Sequence, residues 1–247
     1  MAEALVQVAP QVYLYPADDT PDRVQPNVGV LVAGGKTVLI DAGNSPRHAR
    51  RVALALDAIQ ANPPTYVIYT HSHWDHVFGG QAYGAPAIAH EQCRRTLMEM
   101  ASRPWSNLYI QEEIQRNPAR ETTLRAMQKA VEEWRHFRIL VPEITLSKRM
   151  HVFLDGLTLD IEHVGGAHAA DSVVVRVPEA RVIFVSDCYY PPPMHLRKPE
   201  DGLDKAMIDS LLDDAYDVYI DGHGKPRTRD EFAALAENER MQMNGSR

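Results

Sequence analysis

The hydrophobic residues of this chain fall into short runs that are separated by glycine, proline and polar residues, a pattern typical of β-strands. Gly34-Gly35 between two runs predicts a hairpin, and Ser45-Pro46 predicts the start of a helix that extends to residue 60. In the first half, the runs that we interpret as strands lie at residues 12–16, 28–34, 36–43 and 65–70.

The second half of the chain repeats this organisation. A helix is predicted at about 203–214, and the tail from Thr228 to Arg247 predicts one short helix and a frayed terminus. The predicted strands lie at residues 150–156, 157–164, 172–178, 180–187 and 216–220. Two groups of strands with flanking helices predict two stacked sheets with helices on both outer faces, an α+β fold of αββα type. We expect residues 1–247 to form a single domain.

Residues 90–140 differ from the rest of the chain because they are rich in charge, methionine and tryptophan. We interpret this segment as a helical insertion. Its stretch 121–137 predicts an amphipathic helix, since apolar residues recur at steps of three and four: Leu124, Met127, Val131, Trp134 and Phe137. The periodicity leaves two roles open, a lid or partner surface, or a helix that packs its apolar stripe on the core.

Composition restricts the class of protein. A chain of 247 residues with 45% hydrophobic content can bury a substantial core, and its net charge of −7 provides no general attraction to nucleic acid. The start of the chain lacks the pattern of a signal peptide, and no run of apolar residues is long enough to cross a membrane, so we expect a cytoplasmic protein. The two cysteines, Cys93 and Cys188, are too few for a disulfide framework, and Cys93 is interpreted as a small buried hydrophobe.

The stretch YTHSHWDHVFGG at residues 69–80 holds four potential metal ligands within six positions. His71 and His73 lie two apart, so in an extended segment their rings point to the same side and can hold one ion. Asp75 and His76 follow and could reach a second ion beside the first. Further residues of ligand type occur where later strands stop: His168, Asp187 and His223. Imidazole and carboxylate are ligands of zinc and similar ions.

This order of motifs resembles the metallo-β-lactamase superfamily, and the similarity extends from LIDAG at residues 39–43 through DGHG at 221–224. The resemblance implies a four-layer αββα sandwich and a binuclear metal site. It implies that one ion is bound by His71, His73 and His168, that the other is bound by Asp75, His76 and His223, and that Asp187 bridges them. Two zinc ions are expected, with manganese or iron as alternatives, because all three accept these ligands.

The resemblance also implies the chemistry, in which a hydroxide that bridges the metals attacks the substrate without any side-chain nucleophile. Asp75 is expected to act both as a ligand and as the proton shuttle to the leaving group. Tyr190, three positions beyond Asp187, is a candidate donor to an oxyanion, although tyrosines near strand ends usually serve packing. Asp41 resembles an aspartate that orients a ligand, and its alternative role is to cap a turn.

Other histidines and one cysteine are not assigned to the metal set. His195 and His90 are left open, and His195 is close enough in sequence to the Asp187 loop to line a pocket. Cys188 is excluded because adjacent residues of a strand point to opposite faces. Structural roles are expected for the histidines that have no ligand-type companions: His48, His136, His151 and His163.

Departures from the patterns of known subfamilies favour a hydrolase that acts on an ester, thioester or lactone bond of a small acyl substrate. Antibiotic-degrading members generally carry cysteine or serine where this chain has Asp187, so hydrolysis of amide rings is retained only as an alternative. Hydroxyacylglutathione hydrolases have a longer helical C-terminal region, and the nucleases have basic surfaces. A second alternative is a mononuclear iron persulfide dioxygenase that uses His71, His168 and Asp187. No nucleic-acid or membrane partner is expected, and a homodimer is left open.

Overall fold

The computed structural model describes residues 4–18, 20 and 24–244, with side chains described as far as Glu237. Its first sheet has seven strands arranged in chain order. Strands β1 to β4 pair antiparallel, whereas β4 to β7 run parallel to their neighbours. The strands are β1 (Val6–Ala9), β2 (Val12–Tyr15), β3 (Val28–Ala33), β4 (Lys36–Ile40), β5 (Pro64–Ile68), β6 (Ala87–His90) and β7 (Ile144–Leu146).

The second sheet has six strands in the order β13-β12-β11-β10-β9-β8. All neighbours pair antiparallel except β11 and β12, which are parallel. The strands are β8 (Arg149–Leu154), β9 (Leu157–His163), β10 (Val173–Val177), β11 (Val182–Phe184), β12 (Val218–Ile220) and β13 (Arg227–Thr228).

Seven α-helices accompany the sheets in the described part of the chain. The predicted start of the first helix is confirmed, because Ser45 is its N-cap and Ser45 Oγ accepts a hydrogen bond from His48 N at 3.2 Å. The helices are α1 (Pro46–Ala58), α2 (Trp74–Val77), α3 (Glu91–Ala101), α4 (Asn107–Arg116), α5 (Glu121–Val131), α6 (Lys205–Leu211) and α7 (Arg229–Asn244).

Three apolar clusters separate these elements into four layers, which confirms the predicted αββα arrangement. Between the sheets, residues such as Ile40 and Val175 are buried together. Outside the first sheet, Leu39 packs with residues of α1, and outside the second sheet Val174 packs with residues of α6 and α7. Strands that are covered on both faces, such as β3 and β11, have successive apolar residues, whereas β8 at the edge of the second sheet alternates with exposed residues.

The strand hairpin at Gly34-Gly35 is confirmed, since Ala33 pairs with Lys36 and both glycines have positive φ. Several other elements were predicted to be longer than they are. Strand β5 stops at Ile68 rather than 70, and β11 spans Val182–Phe184 rather than 180–187. Helix α6 is likewise shorter than 203–214.

The segment 90–140 contains helices α3, α4 and α5. The continuous helix predicted at 121–137 is wrong beyond Val131, because Glu132 has a φ of 59° and ends the helix. Trp134 and Phe137 nevertheless lie in the same buried cluster as the apolar residues of α5. The apolar stripe therefore packs on the core.

The tail forms α7, a helix of 16 residues and longer than the short helix predicted there. The frayed terminus was predicted without bounds, and the last residues, 245–247, lie outside the described residues. Among the described residues, no helix has both the length and the apolar character needed to cross a lipid bilayer.

Candidate metal centre

The seven candidate ligands lie where strands of both sheets stop. His71 and His73 follow β5, and the single turn α2 carries Asp75 and His76. His168 lies in the turn between β9 and β10. Asp187 and His223 follow the parallel strands β11 and β12, whose carboxyl ends meet at one edge of the sheet. The fold therefore brings residues that are distant in sequence to one place.

Three histidine nitrogens form the first group of candidate ligand atoms. His73 Nδ1 lies 3.0 Å from His71 Nε2 and 3.0 Å from His168 Nε2. The rings are inclined to one another rather than stacked, with interplanar angles of 69° to 78°. These nitrogens can therefore be shared by one cation.

Asp75, His76 and His223 form the second group, because His223 Nε2 lies 3.2 Å and His76 Nε2 3.4 Å from Asp75 Oδ2. Asp187 lies between the two groups. Its Oδ2 is 3.4 Å from the Nε2 atoms of both His76 and His223, and 3.3 Å from His168 Nε2. A single carboxylate oxygen thus faces both groups.

The donor atoms fit a pair of divalent cations. His76 Nε2 and Asp187 Oδ1 are buried and have no hydrogen-bond partner among the described residues. Buried polar atoms are normally satisfied, and leaving them unpaired costs free energy. Three imidazoles on one side, two imidazoles with a carboxylate on the other, and a shared carboxylate are the ligand types that zinc, manganese and iron accept.

Asp41 holds one of these ligands in place. Its Oδ2 accepts a hydrogen bond from His76 Nδ1 at 2.7 Å, and its two oxygens accept from the Thr70 N–H at 2.8 Å and the Thr70 hydroxyl at 2.9 Å. Donation from Nδ1 leaves His76 Nε2 free to bind a cation. Asp41 therefore both orients a candidate ligand and fixes the turn after β5. Its φ of 66° is one that aspartate tolerates better than most residues.

Two further ligands are oriented in the same way. His168 Nδ1 donates to the Pro191 carbonyl at 2.9 Å, which leaves Nε2 facing the centre. His71 Nδ1 lies 3.1 Å from the Thr70 hydroxyl. The protein thus positions these rings through their outer nitrogens.

The protonation of the centre differs between the two groups. Burial, together with neighbouring histidines, lowers the pKa of His71 well below its usual value and that of His73 to about 4, so both rings are neutral. Burial opposes charge on His76 and His223 as well, but the surrounding carboxylates outweigh it and raise the pKa of His223 to about 10. A cation that enters this group has to displace protons, so its binding is coupled to pH.

Four residues to which the sequence analysis assigned no role support the His223 loop. Asp221 accepts hydrogen bonds from the Tyr189 hydroxyl at 2.6 Å and from His223 N at 3.1 Å, and it pairs with Arg227. Gly222 lies against the carboxylate of Asp187 so closely that a Cβ there would overlap it. The motif DGHG contains both Asp221 and Gly222, but their roles depend on residues far away in sequence.

The centre opens into a cavity of about 850 Å³. His73, Asp75, His168, Asp187 and His223 line its floor, and Trp105 with other residues of the helical segment lines its wall. The segment thus lines the cavity as well as packing on the core, and a role as a lid or partner surface stays a prediction. The volume matches that of sites for small organic ligands.

Tyr190 lines this cavity, with its ring centroid 5.9 Å from that of His168. Burial and the nearby carboxylates of Asp221 and Asp187 raise the pKa of its phenol, so the hydroxyl keeps its proton. His195 also lines the cavity. Donation by Tyr190 to a substrate stays a prediction.

The residues excluded from the metal set lie elsewhere. Cys188 is buried in the apolar cluster beneath α6 and α7, and Cys93 is buried on the outer face of the first sheet. His90 stacks on His163 with ring centroids 3.7 Å apart. The other excluded histidines do not line the cavity either: His48, His136 and His151.

A sequence model of the metallo-beta-lactamase superfamily matches residues 21–235, so this chain belongs to that superfamily. No curated protein sequence matches the chain significantly.

Solved structures with the same fold include a metallo-beta-lactamase family protein from Thermus thermophilus, with a TM-score of 0.66 and 19% identity over 97% of this chain and 81% of the other. A metallo-beta-lactamase from Pontibacter korlensis gives a TM-score of 0.65 at 16% identity and covers 95% of this chain and 98% of its own. A stereoselective inverting sec-alkylsulfatase from Pseudomonas sp. gives 0.64 at 18% identity over 96% of this chain, which spans 41% of that enzyme. At these identities the similarity establishes the fold alone.

Proposed function

We propose that this protein is a binuclear metal-dependent hydrolase that cleaves an ester, thioester or lactone bond of a small acyl substrate. The observation that carries the proposal is the cluster of seven ligand-type side chains, five of which line one open cavity. The superfamily fold is of hydrolase type. The donor set supports two zinc ions most strongly, with manganese or iron as alternatives.

We assign His71, His73 and His168 to one ion, Asp75, His76 and His223 to the other, and Asp187 to both. Two divalent cations there would polarise the acyl carbonyl and lower the pKa of water towards neutrality. The protein supplies the positioning. Asp41, Thr70 and the Pro191 carbonyl fix the rings of His76, His71 and His168.

Asp75 is proposed to move a proton to the leaving group. Burial raises its pKa, but the contacts with His76 and His223 outweigh burial and hold the pKa well below the usual value, so the carboxylate is ionised and can accept. It also lines the cavity where a substrate would lie. Tyr190 lines the same cavity, and we propose that its protonated hydroxyl donates to a developing oxyanion.

The proposal is tested by two measurements on one sample of purified protein. Elemental analysis gives the metal identity and stoichiometry, and a panel of esters, thioesters and lactones gives kcat/KM. We expect close to two transition-metal ions per chain and turnover of at least one of these classes. One iron per chain, with oxygen consumed in the presence of a persulfide, would replace the proposal by the dioxygenase alternative. Turnover of amide rings alone would replace it by the lactamase-like one.

A further inference from the structure

The cavity is cationic although the chain as a whole carries a net charge of −7. The acidic residues in its lining are Asp75 and Asp187, and both belong to the candidate metal centre. Five basic side chains also line it: Arg103, Arg120, Arg125, Lys129 and Arg197. When Asp75 and Asp187 bind cations, their negative charge no longer offsets these basic side chains, so the cavity wall keeps its positive charge.

Two of these arginines have no acidic partner in the described part of the chain. Among the described residues, neither Arg103 nor Arg197 forms an ion pair, and Arg197 Nε donates to the Pro192 carbonyl at 3.0 Å. Arg125 differs, since it pairs with Glu121 at 3.4 Å. Arginines on a protein surface commonly pair with carboxylates, so two unpaired guanidinium groups in one cavity are available to a ligand.

Arg120 and His195 add unsatisfied donors and acceptors to the same wall. Arg120 Nε and His195 Nδ1 are buried atoms without a hydrogen-bond partner in the described part of the chain. The guanidinium of Arg120 pairs only distantly with Glu113, at 3.9 Å. Burial and the proximity of Arg120 lower the pKa of His195, so its ring is neutral. Both residues line the cavity, so a polar group of a ligand can approach their side chains.

Apolar side chains line the same cavity as the metal centre and these basic residues. Met100, Trp105 and Met127 line the cavity from the helical segment, and Met194 and Leu196 line it from the loop after Asp187. Met194 is 72% exposed and Leu196 63% exposed. An alkyl chain in contact with them would remove their surface from water.

We propose that the substrate is an amphipathic anion, in which an acyl group is joined by an apolar chain to a distal carboxylate or similar oxyanion that Arg103, Arg120 and Arg197 bind. Guanidinium groups match the geometry of carboxylates and can donate two parallel hydrogen bonds to them. The inference rests on the proposed hydrolase function and specifies its substrate class. It assigns these arginines to specificity and not to the chemical step.

The test compares esters that share a leaving group and differ at the far end of the acyl chain. They are p-nitrophenyl heptanoate, which is neutral, mono-p-nitrophenyl adipate, which ends in a carboxylate, and an ester of the same length that ends in sulfonate. The proteins are the parent, the double variant Arg103→Gln with Arg197→Gln, and the control Arg95→Gln. Arg95 is an exposed residue of α3 that does not line the cavity.

We expect the parent to favour the adipate ester over the heptanoate ester by about tenfold in kcat/KM, and the double variant to lose that preference. In the double variant, kcat/KM for the heptanoate ester should change less than about twofold. In the control variant, kcat/KM for either ester should change less than about twofold. A similar gain for the sulfonate ester would indicate a site for oxyanions in general, and no gain would indicate one for carboxylates. Equal rates for neutral and charged esters in the parent, or an unchanged preference in the double variant, would overturn the inference.

A binding measurement separates this inference from the proposed function. If none of the esters is hydrolysed, calorimetry on the same metal-loaded proteins compares adipic acid monoamide with heptanamide. Tighter binding of the monoamide to the parent and to Arg95→Gln than to the double variant would support the anion site without any turnover. Equal affinity of the monoamide for all three proteins would overturn it.

Discussion

Gly222→Ala should damage the metal centre although it changes no ligand. A Cβ at this position would lie 2.9 Å from His76 Cε1 and 3.1 Å from Asp187 Cγ, and it would overlap Asp187 Oδ1. Ordinary contact of a Cβ begins at 3.4 Å. The loop cannot easily move away, because the Gly222 carbonyl accepts a hydrogen bond from Asn27 N at 2.6 Å. The added methyl group therefore has to displace Asp187 and His76.

The size of the effect follows from these distances. Bringing His76 Cε1 from 2.9 Å to 3.4 Å needs a shift of 0.5 Å, and the Asp187 oxygen has to move further. Metal ligands tolerate deviations of only about 0.2 Å. We therefore expect metal content to fall from two ions to about one and kcat/KM to fall by about 10²-fold or more. Overpacking should cost about 1–3 kcal/mol of the free energy of unfolding.

The assay combines elemental analysis, kcat/KM on the best ester and the free energy of unfolding. Gly84→Ala is the matched control, because a Cβ there meets nothing within 4 Å but has to adopt a φ of 65°. That strain costs about 1 kcal/mol, so the control loses stability without any effect at the centre. A Gly222→Ala protein that keeps two ions and full turnover would refute the placement of Asp187 against Gly222.

Two further predictions concern buried polar groups. Asp41→Asn removes the charge that faces His76 Nδ1. The variant should lower metal affinity or kcat/KM by about 10- to 100-fold, while its circular dichroism stays unchanged. An unaltered metal titration would contradict the role of Asp41. His48 has its pKa lowered to about 3 by burial, with a smaller contribution from Arg51. Below about pH 6.5 the imidazole of His48 binds a proton in the unfolded chain but stays neutral in the folded protein. The free energy of unfolding should therefore fall as pH falls. Between pH 6.5 and 5 the parent should lose about 2 kcal/mol more than His48→Gln, and equal pH dependence in urea denaturation would contradict this.

Much of the fold was predictable because its signals are local. The apolar runs of β3, β4 and β10 are nearly continuous, since these strands are buried on both faces, and Ser45-Pro46 marks the start of α1. The strands β1, β6, β7 and β13 were missed because each has four residues or fewer and includes alanine or polar residues instead of an unbroken run of large apolar ones. Helix α5 was extended too far because Trp134 continues its periodicity, although the chain turns at Glu132. That the whole chain forms one domain stays a prediction.

The candidate centre was predictable to a similar degree. Its ligand-type residues stand at strand ends in a recognisable order, and the structure brings all seven of them together. The contacts that support them were not predictable, because Asp41 reaches His76 across 35 positions and Asp221 reaches Tyr189 across 32. The charge of the cavity wall was missed for the same reason. Arg103 and Arg197 are distant in sequence and line one cavity only because of the fold.

The most direct test of the binuclear hydrolase is the metal content of the parent beside that of Asp187→Asn. Asn keeps the size of the side chain and removes the charge that faces His76, His168 and His223. The parent should hold close to two transition-metal ions per chain, and the variant should keep about one, with kcat/KM lower by about 10²-fold or more and unchanged circular dichroism. A parent that is fully active with one ion, or a variant with two ions and unchanged turnover, would contradict the account.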